Sequence, residues 1–197
     1  SETITALECI AADGWQMDPM FIFKSATFQE SWFHGSEALP SKTLIAISPN
    51  DWISDELILQ WLNYFHKATN GCDRTKKGEK RVLIFDGHSA HFSAEFLQKC
   101  QDYNIICVAL EPHSTHLCQP LDGKPFLSYK QHFRVVNNEL AYYAGQPAGK
   151  AEFLRVIAPV RERAFNSRII RESFRDRGIY PVYGEAIVQK LKYQELE

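Results

Sequence analysis

Two aspartates in this sequence each follow an apolar run and keep company with histidines. In "LIFDGHSAH", residues 83–91, the apolar run stops at Asp86, with His88 and His91 just beyond. In "LEPHSTHLCQPLD", residues 110–122, the chain leaves a second apolar run, passes His113 and His116, and ends on Asp122. Carboxylates that converge where strands end suit a hard divalent cation such as magnesium, which takes one or two of them and completes its shell with water or phosphate oxygens. A pair of such ions can activate an attacking hydroxyl and stabilise the leaving oxygen of a phosphodiester. The plainer alternative is that Asp86 caps the turn after its strand and Asp122 caps a helix. On the residues alone both readings stand.

Zinc is the rival chemistry, because His88, His91, His113, His116 and Cys118 all carry suitable atoms. His-x-x-His within loops is a weak signal, however, and no CxxC pair supports it. A Ser/His/Asp hydrolase is weaker still, since the chain has no GxSxG elbow.

The elements that must position these residues read as α/β. Two β-rich runs, Thr3–Ala11 and Met20–Lys24, flank a turn at Asp13-Gly14 and predict a hairpin. "KTLIAIS", Lys42–Ser48, is a third strand. "SDELILQWLNYFHKATNG" predicts a helix capped by Ser54, with Leu57, Trp61, Leu62 and Phe65 on its core face. "RVLIFD", Arg81–Asp86, is apolar up to its last residue, which predicts a strand buried on both faces. A helix capped by Ser93 and a further buried strand, "NIICVALEP", complete a βαβ unit with parallel strands. From Pro125 the pattern is helical, with breaks near Gly145–Gly149 and Gly178–Pro181. In open sheets of this kind, sites form beyond the carboxyl ends of strands, where Asp86 falls.

With 45% hydrophobic and 13% aromatic residues, the 197-residue chain can bury a core and fits one domain. Nothing in it approaches an 18-residue apolar span, so no membrane crossing is expected. Five cysteines without a paired pattern fit a reducing compartment better than a disulfide framework. The net charge of −2 excludes a polycation, yet basic residues cluster in the Arg74–Arg81 loop, and Arg161–Arg177 holds six arginines. Both stretches read either as solvated surfaces or as phosphate contacts, which need only local positive charge.

The stretch "LIFDGHSAHFSAEFLQKCQDYNIICVALEPHSTHLCQPLDGKPFLSYKQHFR" resembles the catalytic core of the pogo-type transposases (Tigger-like and centromere-protein-B-like, fungal members foremost), within the DDE superfamily endonuclease domain. "ITALECIAADGWQMDPMFIFK" is similar to the hairpin of that family, "SPNDWISDELILQWLNYF" to its connecting helix and "IIRESFRDRGIYPVYGEAIVQKL" to its C-terminal tail. The pairing of D-G-H-x-x-H with H-x-T-H-x-x-Q-P-L-D is the specific part, and the likeness covers nearly the whole chain.

The resemblance implies a ribonuclease-H-like domain over residues 1–197: one mixed sheet with helices on its faces, and residues 150–197 as a helical tail of the same domain. It implies a carboxylate triad that binds Mg2+ or Mn2+ and cuts and joins DNA strands. Asp86 matches the second triad member and Asp122 the third, and both side chains are expected to face one shallow cleft. His91 matches a histidine near the second carboxylate, in a supporting role. The implied setting is nuclear, with DNA as partner, and a homo-oligomer is compatible with it.

The sequence departs from the family in two places. The first triad aspartate belongs on a strand upstream of the hairpin, and no such word precedes Thr3; Asp13, Asp51 and Asp55 sit in turns or at a helix start. The sequence therefore reads as a piece of something longer, inactive by itself, or as a protein that has lost that strand. "DGKPF" after Asp122 also differs from the usual small or apolar wording. A domesticated, non-catalytic scaffold in a DNA-binding protein of the centromere-binding branch is the alternative function.

Overall fold

The structure, a computed structural model, describes residues 3–49, 53–86, 93–111, 115–145, 148–185 and 188, apart from the side chains of 115, 116 and 144. The chain divides into two compact units, one of Ser1–Trp52 with Pro120–Glu197 and one of Ile53–Gln119.

In the first unit β1 (Ile4–Leu7) and β2 (Met20–Lys24) pair antiparallel, from Ile4 opposite Phe23 to Leu7 opposite Met20. The predicted turn lies between them. The Asp13 carboxylate accepts from the Trp15 amide at 3.0 Å, and Gly14 takes a φ of 95° that a side chain would resist. β3 (Leu44–Ser48) runs parallel to β2 on its other edge, giving the order β1-β2-β3. A central strand with helices over it should be apolar on both faces, and β2 is: Met20, Phe21, Ile22 and Phe23 are all buried.

A short 3-10 helix (Glu30–Phe33) delivers Trp32 edge-on to Phe23, with ring centroids 5.5 Å apart. α4 (Lys124–Ala144) and α5 (Lys150–Ala164) follow, α4 closed by Gly145 at a φ of 73°. α5 sends Phe153, Leu154, Ile157 and Val160 into one cluster with Phe21, Phe23 and Trp32. α6 (Ser167–Asp176) is capped by Asn166, whose side chain accepts from the Ile169 amide at 3.0 Å. Beneath this core an ion pair joins the end of the hairpin strand to α5. Arg161 donates through two nitrogens to both carboxylate oxygens of Glu8 at 2.8 and 2.7 Å, and also to the Met17 carbonyl at 3.1 Å. The two side chains are 4% and 1% exposed. Burial pushes the Glu8 carboxyl up, against the pull of Arg161.

In the second unit α1 (Asp55–Thr69) starts at Ser54, whose hydroxyl accepts from the Leu57 amide, and it buries Leu57, Trp61, Leu62 and Phe65 as its periodicity predicts. β4 (Arg81–Phe85), α2 (Ala94–Asp102) and β5 (Ile105–Ala109) form the predicted parallel unit, with Ser93 capping α2. α3 (Thr115–Cys118) is a single turn.

Two expectations are corrected. Among the described residues the strands form two sheets rather than one, and β1 and β4 each pair along a single edge. β4 and β5 are also not buried on both faces: Val82 is 60% exposed, Ile106 48% and Val108 41%. α2 packs on β5, while Val82, Ile106 and Val108 are exposed, so an apolar run alone does not report burial.

Candidate functional site

β4 places Asp86. The ladder with β5 continues to its end, where the Leu110 amide donates to the Phe85 carbonyl at 3.0 Å, so the backbone is held up to the residue before the aspartate. Asp86 itself is half-buried. The other end of β4 is fixed by Arg81, a member of the basic cluster that could have met phosphate. It is instead buried, donating to Thr69 Oγ1 at 3.0 Å and to the Tyr103 carbonyl. Burial holds its guanidinium below its ordinary range. The His66 and Tyr103 rings stack at 3.8 Å beside it, and burial first, then Arg81, lowers the His66 pKa.

Asp122 stands on the turn leading into α4, in the first unit, and is exposed. This turn is fastened at three places by α6 and the Arg177 that follows it. The Ser173 hydroxyl donates to the Pro120 carbonyl. Gly123 lies directly against the buried Arg177 guanidinium, where a Cβ would meet Nη1 at 2.4 Å. Lys124 Nζ reaches Glu172 at 2.8 Å and Asp176 at 3.1 Å. The "DGK" wording, unusual beside the family pattern, suits the local packing: a side chain at Gly123 would have to displace the Arg177 guanidinium, and Lys124 finds two carboxylates. Lys124 and Arg168 together hold the Glu172 carboxyl down to about 2.

Sequence reasoning missed Gly123, Ser173 and Arg177 as the supports of Asp122. Only the glycine at the entry to a helix offered a signal. His88, His91 and His113 lie outside the described residues, as does the side chain of His116, so the supporting role expected of His91 falls there too. Cys118 is half-buried at the end of α3. Among the described residues no group of three or more His, Cys, Asp or Glu is placed to hold a metal ion.

The family described as DDE superfamily endonuclease matches residues 1–174. A protein of Cochliobolus lunatus named MFS-type transporter clz9 is 33% identical over 190 residues, which cover 96% of this chain and 20% of that protein. The chain thus spans about a fifth of the length of that relative. Among the described residues no helix is long and apolar enough to cross a membrane. No solved structure matches the chain.

Proposed function

The chain belongs to the DDE superfamily endonucleases, and from that premise we propose that it is a transposase-derived domain of the pogo type, whose parent protein cuts and joins DNA strands using Asp86 and Asp122. The observation that carries the reading is the way Asp122 is mounted. A carboxylate in open solvent stands on a turn gripped by Ser173, Arg177 and Lys124, whereas a helix cap needs only its own helix. The N-cap of α4 is Gly123 rather than Asp122, so the aspartate is not spent on capping. The order of an antiparallel hairpin followed by the parallel β4–α2–β5 unit supports a ribonuclease-H-like arrangement.

The donor set fits magnesium or manganese: both residues offer only carboxylate oxygens, one at a strand end and one in solvent. When bound, the ion would lower the pKa of an attacking water or hydroxyl and neutralise the leaving oxygen. Asp86 would contribute a ligand fixed by the β4–β5 ladder, and Asp122 a ligand fixed by α6. With two carboxylates the site should hold a divalent ion weakly, at about millimolar concentration. The setting is nuclear in this reading, and DNA is the substrate.

A plasmid-nicking assay with magnesium or manganese on the full-length gene product tests it. Nicking should occur in the wild type and vanish in Asp86→Asn and in Asp122→Asn, with circular dichroism unchanged. Nicking that survives both substitutions overturns the assignment. A full-length product that binds DNA and never cuts it would select the non-catalytic scaffold instead.

A further inference from the structure

The six arginines of Arg161–Arg177 separate cleanly once folded. Arg161 and Arg177 are buried inside the first unit, while Arg163, Arg168, Arg171 and Arg175 are exposed. Three of the exposed set, Arg168, Arg171 and Arg175, follow one another at three- and four-residue spacing, which places them along one face of α6. They line an open cleft of about 610 Å³ together with Ser167, Glu172 and Tyr180.

The stripe is held in place from below. The Asp13-Gly14 turn packs against α6 so closely that a Cβ on Gly14 would lie 2.2 Å from the Ser167 hydroxyl. Arg171 Nε donates to the Asp13 carbonyl at 2.7 Å, and Arg168 Nε to Glu172 at 2.9 Å. The Arg175 side chain is exposed and makes no hydrogen bond or ion pair among the described residues. Among the residues lining the cleft, three are arginines and one, Glu172, is a carboxylate, so the lining is net positive on a chain that is net negative.

We propose that this cleft is a surface for the phosphodiester backbone of DNA, a role distinct from that of Asp86 and Asp122. A row of cations running about 10 Å along a helix, at 1.5 Å per residue, matches a ligand that repeats its charge along a line. Guanidinium forks and the Ser167 hydroxyl are donors suited to phosphate oxygens, and they fix position without reading sequence. Tyr180, 61% exposed at the rim, offers an aromatic face to an unstacked base. This inference rests on the DNA-cutting reading for the identity of the ligand, and it adds where the strand is held.

The test measures binding of the 197-residue chain to a fluorescently labelled DNA duplex of arbitrary sequence by anisotropy, over a range of KCl concentrations. Arg168→Gln/Arg171→Gln/Arg175→Gln should weaken binding and make the slope of log affinity against log salt shallower by about 3, near 0.9 for each phosphate no longer neutralised. The corresponding triple Lys variant should keep most of that slope, which a purely structural role for the guanidiniums would not allow. Arg175→Gln alone disturbs nothing that holds the fold and should remove about one third of the slope attributed to the three arginines. An unaltered slope in the triple Gln variant, or a wild-type chain that fails to bind the duplex even at low salt, overturns the proposal. If cutting fails while binding follows the arginines, the surface stands without the nuclease. If cutting follows the aspartates while the triple Gln variant binds normally, the nuclease stands without the surface.

Discussion

β2 and β4 are both short apolar strands, "MFIFK" and "RVLIF", yet they live in different surroundings. β2 is the middle strand of three, covered by α5 and the Trp32 segment, and four of its five side chains are buried. β4 is one of a pair, anchored at its start by Arg81 and exposing Val82 to solvent. The two aspartates inherit that difference. Asp122 belongs to the unit held by an aromatic core and a buried ion pair, on a turn clamped by side chains. Asp86 belongs to the other unit, at the end of a strand paired with β5 along one edge. A carboxylate can be mounted by packing or by a ladder, and the two mountings should fail under different insults.

The largest effect should come from the first unit. Arg161→Met leaves Glu8 buried without its partner and should cost about 3–5 kcal/mol. Hydrogen exchange should show protection falling in β2 and α5 while β4 and β5 change far less. Equal falls in both units would break the contrast. Gly123→Ala comes next: its methyl must displace the Arg177 guanidinium, and a cost of about 1–3 kcal/mol is expected in urea unfolding. This variant should also loosen Asp122, so divalent binding should weaken while Asp86 stays in place.

In the second unit, Val82→Thr at an exposed position should change stability by no more than about 0.5 kcal/mol. A much larger effect would mean that this position is covered in solution. The smallest effect is a titration. The Glu172 pKa is depressed in the fold, so whatever its pairs contribute is present above the ordinary value of 4.5 and is lost only as pH falls through about 2. Carbon-13 NMR of the Glu172 carboxyl should therefore show a midpoint near 2. A midpoint at the ordinary glutamate value would mean that Lys124 and Arg168 do not hold it.

What could be read in the sequence was whatever depends on short-range rules. The Asp13-Gly14 turn, the Ser54 and Ser93 caps, the Leu57–Phe65 face and the parallel β4–α2–β5 unit all follow from local chemistry and periodicity. What could not be read was the set of neighbours each element acquires at long range. The same apolar pattern served a covered strand and a partly exposed one, because burial is decided by what packs on a face. Arg81, Arg161 and Arg177 looked like the other basic residues and proved to be internal, since only the fold supplies Thr69, Glu8 and Gly123 as their surroundings. Both aspartates stood out by position, at the end of a strand and the start of a helix, whereas the residues that hold Asp122 lie some fifty positions further along the chain.

The proposal that Asp86 and Asp122 serve one divalent ion is tested by manganese without any need for catalysis. In a chain carrying carbon-13 at its aspartate carboxyls, substoichiometric Mn2+ should broaden the Asp86 and Asp122 resonances together and ahead of exposed aspartates such as Asp13 and Asp55. Asp122→Asn should then restore a sharp Asp86 line, and Asp86→Asn a sharp Asp122 line. Two lines that broaden independently, with neither substitution affecting the other residue, would contradict the account.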